Sequence, residues 1–168
     1  MFKWLDVEPT WKQVLIWIPL SALGLFVYNT WMIWFVLSFD LMALPPVQSV
    51  VQMPIVSWSF LPTLFMLAFI EEFIFRFLPA VFFLDRRSSY FDIVFYIVVT
   101  SWAFGMVHGG KMHLIFQGAG GLLFSIVYLK YGGIREKHFY GLFASTATHT
   151  FFNATIALLL LCNGMDTF

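Results

Sequence analysis

Five apolar runs, each long enough to cross a bilayer as a helix, leave this chain few ways to fold. They fall at about Trp11–Phe39, Val56–Leu84, Asp92–Gly109, His113–Tyr131 and Phe139–Asn163. None alternates apolar with polar residues as a barrel strand does. Backbone in lipid must satisfy its own polar groups, so the runs are read as helices. Composition agrees: 61% of residues are hydrophobic and 11% charged, whereas soluble domains carry about 25% charge. One water-soluble core of 168 residues could not hide 22 Phe and 7 Trp. The expected fold class is an all-α integral membrane protein with five transmembrane helices, multi-pass in the cell membrane and solvated by the lipid bilayer.

The connections orient the chain. Pro45, Pro46 and Pro54 break the link between the first two spans, and residues 85–89, 109–111 and 132–137 mark the others. Lys3, Lys12, Arg86, Arg87, Lys130, Arg135 and Lys137 fall on one side, and Lys111 falls on the other. Basic loops stay inside, so the N-terminus is expected in the cytoplasm and the C-terminus outside. Trp11, Trp58, Tyr90, Tyr131 and Tyr140 fit interfacial belts at span ends. The first apolar run begins near Val14, is longer than a signal peptide's apolar region and is read as a retained span. A formal net charge of zero gives no electrostatic footing for nucleic acid. The lone Cys162 excludes an internal disulfide. Small residues on the third span (Gly105, Gly109) and the fourth (Gly118, Gly120, Gly121, Ser125) let helices approach closely.

Against this background the polar residues inside spans stand out. Glu71 and Glu72 lie side by side in the second span, and insertion into lipid costs a carboxylate about 2.5–3.5 kcal/mol. Arg76, four residues after Glu72, shares its helix face and can neutralise it. Glu71 points about 100° away and has no partner in its own segment. The third span carries Ser101 and, near its outer end, His108; the fourth carries Gln117; the fifth carries Ser145, Thr148, His149 and Asn153. His149 and Asn153 point the same way, as do Phe104 and His108. Taken singly, each has a plain reading: an ion pair, interhelical hydrogen bonding or an interfacial imidazole. His113 and His138 fall at loop edges and are expected to be solvated.

Glu71 has no plain reading, and the set weighs more than its members. A carboxylate, two imidazoles and an amide are the parts for attack of water on a carbonyl. A base holds the water, a second group aims it, and preorganised donors meet the oxyanion. No Ser or Cys is paired for covalent catalysis. Counted along the helices, Glu71, Glu72, His149 and Asn153 come out near the midplane. His108 lies nearer the outer face, so a pocket opening outward is expected.

These residues resemble the CAAX-protease and bacteriocin-processing (CPBP, or Abi) family of intramembrane endopeptidases. That family carries EExxxR, here Glu71 to Arg76; an aromatic residue followed by xxxH, here Phe104 to His108; and HxxxN or HxxxD, here His149 to Asn153. The resemblance spans roughly residues 58–160. It implies an accessory helix and connecting loop over 1–57, before a four-helix catalytic core over 58–163. It further implies Glu71 as the base that activates water, His108 as the group that positions it, and His149 and Asn153 as the oxyanion site. Glu72, Arg76 and Phe104 would support them. The expected activity is hydrolysis of a peptide bond near the terminus of a lipid-anchored or membrane-spanning protein or peptide substrate.

Two accounts of the chemistry exist for such enzymes. With zinc, Glu71, His108 and His149 would be the ligands. Without a metal or other cofactor, Glu71 activates water directly. The sequence favours the second: no HExxH helix is present, and Asn153 is a poor zinc ligand. Phe77, where relatives often have Gly, and the single accessory span leave the substrate class open. Two further classes stand as alternatives. One is a proton-coupled carrier using Glu71 and His149, although no inverted repeat is found. The other is a non-catalytic regulator or immunity protein of the same fold.

Overall fold

Every described residue outside the turns is helical. The computed structural model describes residues 10–38, 60–109 and 111–162, and the order is α1 (Trp11–Ser38), α2 (Phe60–Glu72), a π-helical turn (Phe73–Phe77), α3 (Leu78–Phe83), α4 (Tyr90–Val107), α5 (Lys111–Tyr131), a 3-10 turn (Gly133–Arg135) and α6 (His138–Cys162). No strand occurs among the described residues. Lys3, the proline-marked link at Pro45, Pro46 and Pro54, Trp58, the expected boundary between 57 and 58, and Gly110 lie outside them.

Local chemistry explains the ends. Thr10 and Gln13 form a reciprocal cap at the start of α1: the Thr10 amide donates to Gln13 Oε1 at 2.8 Å and the Gln13 amide to Thr10 Oγ1 at 3.4 Å. Ser89 and Asp92 do the same for α4, at 2.7 and 3.2 Å. His108 caps the C-terminal end of α4 with φ −86° and ψ −1°. Gly109 then takes φ +130°, a conformation open to glycine and strained for other residues, and the chain turns back into α5.

α2 and α3 form one rod interrupted by the π turn. Pro79, in the first turn of α3, has no N–H to give the carbonyl four residues back, and its ring would collide with that carbonyl. The chain widens instead, and the Leu78 N–H reaches the carbonyl of Phe73. The sequence reading carried a uniform helix through this point and missed the widening.

Burial runs opposite to that of a water-soluble protein. Phe82, Phe83, Phe91, Phe139 and Leu15 are among the large apolar side chains left exposed, while Glu72, Arg76, Thr100, Ser101, Ser125, Ser145, Thr146, Thr148 and His149 are buried. Lipid, rather than water, must cover such an exterior. Stretches Lys12–Met32, Tyr90–Val107 and His113–Arg135 are long and apolar enough to cross a membrane. The chain is a helical membrane protein.

The small residues act as expected between α4 and α5. A Cβ on Gly105 would stand 3.0 Å from Leu114 Cα, and one on Gly121 would stand 3.0 Å from Ser101 Cα. One apolar cluster (Ala80, Leu84, Ile93, Tyr96, Tyr128, Leu129, Ile134, Leu142) closes one end of the bundle. A second cluster joins Ala22 and Leu25 of α1 to Phe124 and Phe152. Two expectations need correction. Tyr131 is buried beside Val127 and Ala144 instead of lying in an interfacial belt. His138 is only part-exposed: its Nδ1 lies 2.9 Å from the buried Tyr128 hydroxyl, so it is not a solvated loop residue.

Candidate active site

Glu71 finds its partners on two other helices. Its Oε2 lies 3.8 Å from His108 Nε2, at the end of α4, and 3.7 Å from His149 Nε2, on α6. Both distances are too long for direct hydrogen bonds. Glu71 and His108 remain 33% and 27% exposed, whereas His149 is 6% exposed, so one side of the cluster is open and the other closed.

Hydrogen bonds fix how the imidazoles present themselves. His108 Nδ1 lies 2.7 Å from the Phe104 carbonyl. A carbonyl only accepts, so Nδ1 carries the hydrogen and the lone pair of neutral His108 sits on Nε2, toward Glu71. His149 Nδ1 lies 2.9 Å from Glu72 Oε1 and donates to that carboxylate, which again turns Nε2 toward Glu71. The two adjacent carboxylates thus face opposite nitrogens of one ring.

Glu72 is fully buried and also meets Arg76, with Nη1 to Oε1 at 3.3 Å, as the spacing predicted. The guanidinium is fully buried too. It lies over the Phe104 ring at 4.3 Å from the centroid and 5.7 Å from that of Phe124. Among the described residues, none of its three nitrogens has a hydrogen-bond partner. Phe104 therefore carries more than its place in a motif indicates: it touches Arg76 on one side and the His108 ring, at 4.4 Å, on another.

Other polar residues are spent elsewhere. Ser101 and Thr148 hydroxyls donate to carbonyls of their own helices, Ile97 at 2.6 Å and Ala144 at 2.9 Å, and Ser145 does so to Leu142 at 3.1 Å. Thr100 and Ser125 bond across α4 and α5 at 3.0 Å. Asn153 is part-buried one turn beyond His149 and makes no hydrogen bond to the cluster among the described residues; Gln117 behaves likewise. One neighbour escaped the sequence reading altogether. Phe124 of α5 lies flat on His149, with centroids 4.4 Å apart and planes at 19°. Among 22 Phe, no sequence signal sets it apart.

A zinc ion at this site would be held by Glu71, His108 and His149. Ligand atoms about 2.0–2.2 Å from zinc stand about 3.3–3.6 Å apart in a tetrahedron. Here the carboxylate oxygen is 3.8 and 3.7 Å from the two nitrogens, and no group of three or more His, Cys, Asp or Glu among the described residues is arranged to hold a metal ion.

The family model described as type II CAAX prenyl endopeptidase, Rce1-like, matches residues 53–155. The chain belongs to this family. The Rce1-like match takes in Glu71, Glu72, Arg76, Phe104, His108, His149 and Asn153, so the motifs that suggested a CAAX-type protease lie inside it. α1 lies outside it. No curated protein matches the chain significantly. No solved structure does so either. Membership of the Rce1-like family makes this a member of a family of membrane proteases that act on protein or peptide substrates.

Proposed function

We propose that the chain is an intramembrane endopeptidase. It cuts a peptide bond near the terminus of a lipid-anchored or membrane-spanning substrate, using water activated by Glu71 and no metal. One observation carries the reading: a part-exposed carboxylate stands between the Nε2 atoms of two imidazoles delivered by separate helices, at 3.7 and 3.8 Å.

The chemistry follows from the hydrogen-bond roles. A water between Glu71 and His108 donates to both, which leaves an oxygen lone pair free for the scissile carbonyl. As the C–O bond forms, the water's proton passes to Glu71. The resulting oxyanion takes hydrogen bonds from His149, protonated on both nitrogens, and from the Asn153 amide. Glu72 holds His149 by Nδ1 and offsets the imidazolium charge, as a buried carboxylate does in other His-based sites. When the C–N bond breaks, Glu71 returns the proton to the leaving amine.

Access supports a lipid-borne substrate. Ile70 and Ile74 flank Glu71, Met106 and Val107 precede His108, and all four are exposed. A substrate could thus approach sideways from the acyl chains. Substrates ending in a prenylated CAAX box are the first to test, on the family's description. We place five spans across the membrane, with the N-terminus cytoplasmic on the distribution of Lys and Arg. On that orientation the site opens at the outer end of α4. That side fits a membrane-anchored sorting tail or a secreted peptide better than a prenylated terminus at the cytoplasmic face, so such a peptide is tested beside the CAAX one.

The test is direct. Purified protein and its Glu71→Gln variant are given a quenched fluorescent peptide bearing a prenylated CAAX terminus. The wild type cleaves it, and the variant loses at least about 100-fold in kcat, in line with loss of a general base. Cleavage undiminished in the variant would reject Glu71 as the base.

A further inference from the structure

We propose that Phe124 is a positioning residue for this reaction and that it links α1 to the site; the proposal rests on the endopeptidase reading above. His149 has to meet two carboxylates at once, Glu72 through Nδ1 at 2.9 Å and Glu71 through Nε2 at 3.7 Å. The hydrogen bond to Glu72 fixes one nitrogen but leaves the ring free to swing about that contact, because the second torsion of histidine is broad and roughly two-fold. Something must fix the plane of the ring.

Two aromatic rings do so, from different directions. Phe124 covers the face of the imidazole at 4.4 Å and 19°, and Phe104 meets it at 5.7 Å and 80°. Phe124 is itself held in place. It is 1% exposed. Phe104 abuts it at 6.4 Å and 84°, and Phe152 at 6.5 Å and 61°. Ala22 and Leu25 of α1 close the same cluster. Gly120 lies beside both residues: a Cβ there would make ordinary contact with Leu25 Cδ2 and Phe124 Cε2, each at 3.5 Å. The line Leu25, Phe124, His149 runs from a helix outside the family match to the imidazole.

A core residue that only fills space can be replaced by another of similar volume. A ring stacked on an imidazole cannot, because it sets an orientation as well as a volume. The experiment separates the two. Full-length protein in lipid nanodiscs is compared as wild type, Phe124→Leu, Phe124→Tyr, Leu25→Ala and Glu71→Gln. Two quantities are read: kcat and KM on the quenched prenylated CAAX peptide, and the ring 15N signals of His149 in histidine-labelled protein. Phe124→Leu lowers kcat about 10- to 100-fold with KM within about twofold, the pattern of lost orientation rather than lost binding. Phe124→Tyr, which keeps the ring, stays within about threefold of wild type, and Leu25→Ala gives a smaller loss in the same direction. The 15N signals show one sharp set in the wild type and shifted or exchange-broadened signals in Phe124→Leu.

Wild-type kcat in folded Phe124→Leu would overturn the proposal, as would kcat losses that merely track the folded fraction in both Phe124 variants. If the wild type and Glu71→Gln cleave alike, or neither cleaves, the endopeptidase reading fails. Phe124 is then judged by the 15N signals: shifted or broadened signals in Phe124→Leu uphold its hold on His149, and unchanged signals overturn it.

Discussion

Removing Arg76 should cost this fold more than removing Arg76 and the charge of Glu72 together. Both side chains are fully buried, with Nη1 and Oε1 3.3 Å apart. At an effective dielectric of about 20, unit charges at that distance attract by about 5 kcal/mol. Among the described residues the guanidinium nitrogens have no hydrogen-bond partners, and the group lies over the faces of Phe104 and Phe124. Arg76→Met keeps most of the volume and leaves Glu72 with its hydrogen bond to His149 but no buried cation beside it on its own helix. Breaking a buried pair in this way costs about 3–5 kcal/mol, whereas replacing both charges is close to neutral. Glu72→Gln with Arg76→Met should therefore recover most of the loss, leaving the double variant about 2–4 kcal/mol more stable than Arg76→Met alone. The assay is a double-mutant cycle of unfolding free energies in mixed micelles titrated with SDS. Additive single costs, or an Arg76→Met cost below about 1 kcal/mol, would refute the reasoning.

Two glycines should respond oppositely to alanine. Gly121→Ala sets a Cβ 3.0 Å from Ser101 Cα and 3.2 Å from Arg76 Nη2, and overpacking of this kind costs about 1–3 kcal/mol; Gly24→Ala meets nothing within 4 Å and should gain up to about 1 kcal/mol of helix stability, both read by the same unfolding assay. Turnover of the CAAX peptide should be unchanged after dialysis against EDTA or phenanthroline, and a loss restored by zinc would return Glu71, His108 and His149 to the role of ligands. His138 lies at the start of α6, where burial holds its imidazole below the ordinary value, against the pull of Glu136. The unfolded chain then binds the extra proton first, so stability should fall as pH drops below about 6.5 and level off once the folded state also protonates. An NMR titration of His138 checks this, and Glu136→Gln should lower its midpoint further.

How much of this could be read from residues alone depended on rarity. In a chain with 11% charge, Glu71 without a local partner is conspicuous, and few polar side chains were candidates to answer it; His108 and His149 do so. The Glu72 to Arg76 pairing followed from spacing, and the close contact of α4 with α5 from Gly105 and Gly121. Common features were silent. Phe124 is one phenylalanine among 22, and stacking on His149 is a tertiary event that no periodicity encodes. The bond from His149 to Glu72 was missed because a like pair of carboxylates was assigned separate tasks, one on each face of the helix. His138 looked like a loop residue because the partner that shields it, Tyr128, lies on another helix.

The widened turn after Glu72 settles which way the rest of that rod faces. In a uniform helix, Glu72 and Ala80 would be about 80° apart around the axis; one surplus residue brings them to within about 20°. Both are fully buried. A carboxylate aimed at the imidazoles and a methyl packed against Ile93, Tyr96 and Tyr128 can thus share one inward stripe. Closing this turn to a uniform helix would swing everything downstream by about 100°, turning Ala80 and Leu84 toward the acyl chains, whereas deleting one residue of Phe73–Phe77 would remove the surplus and leave Ala80 on the stripe of Glu72.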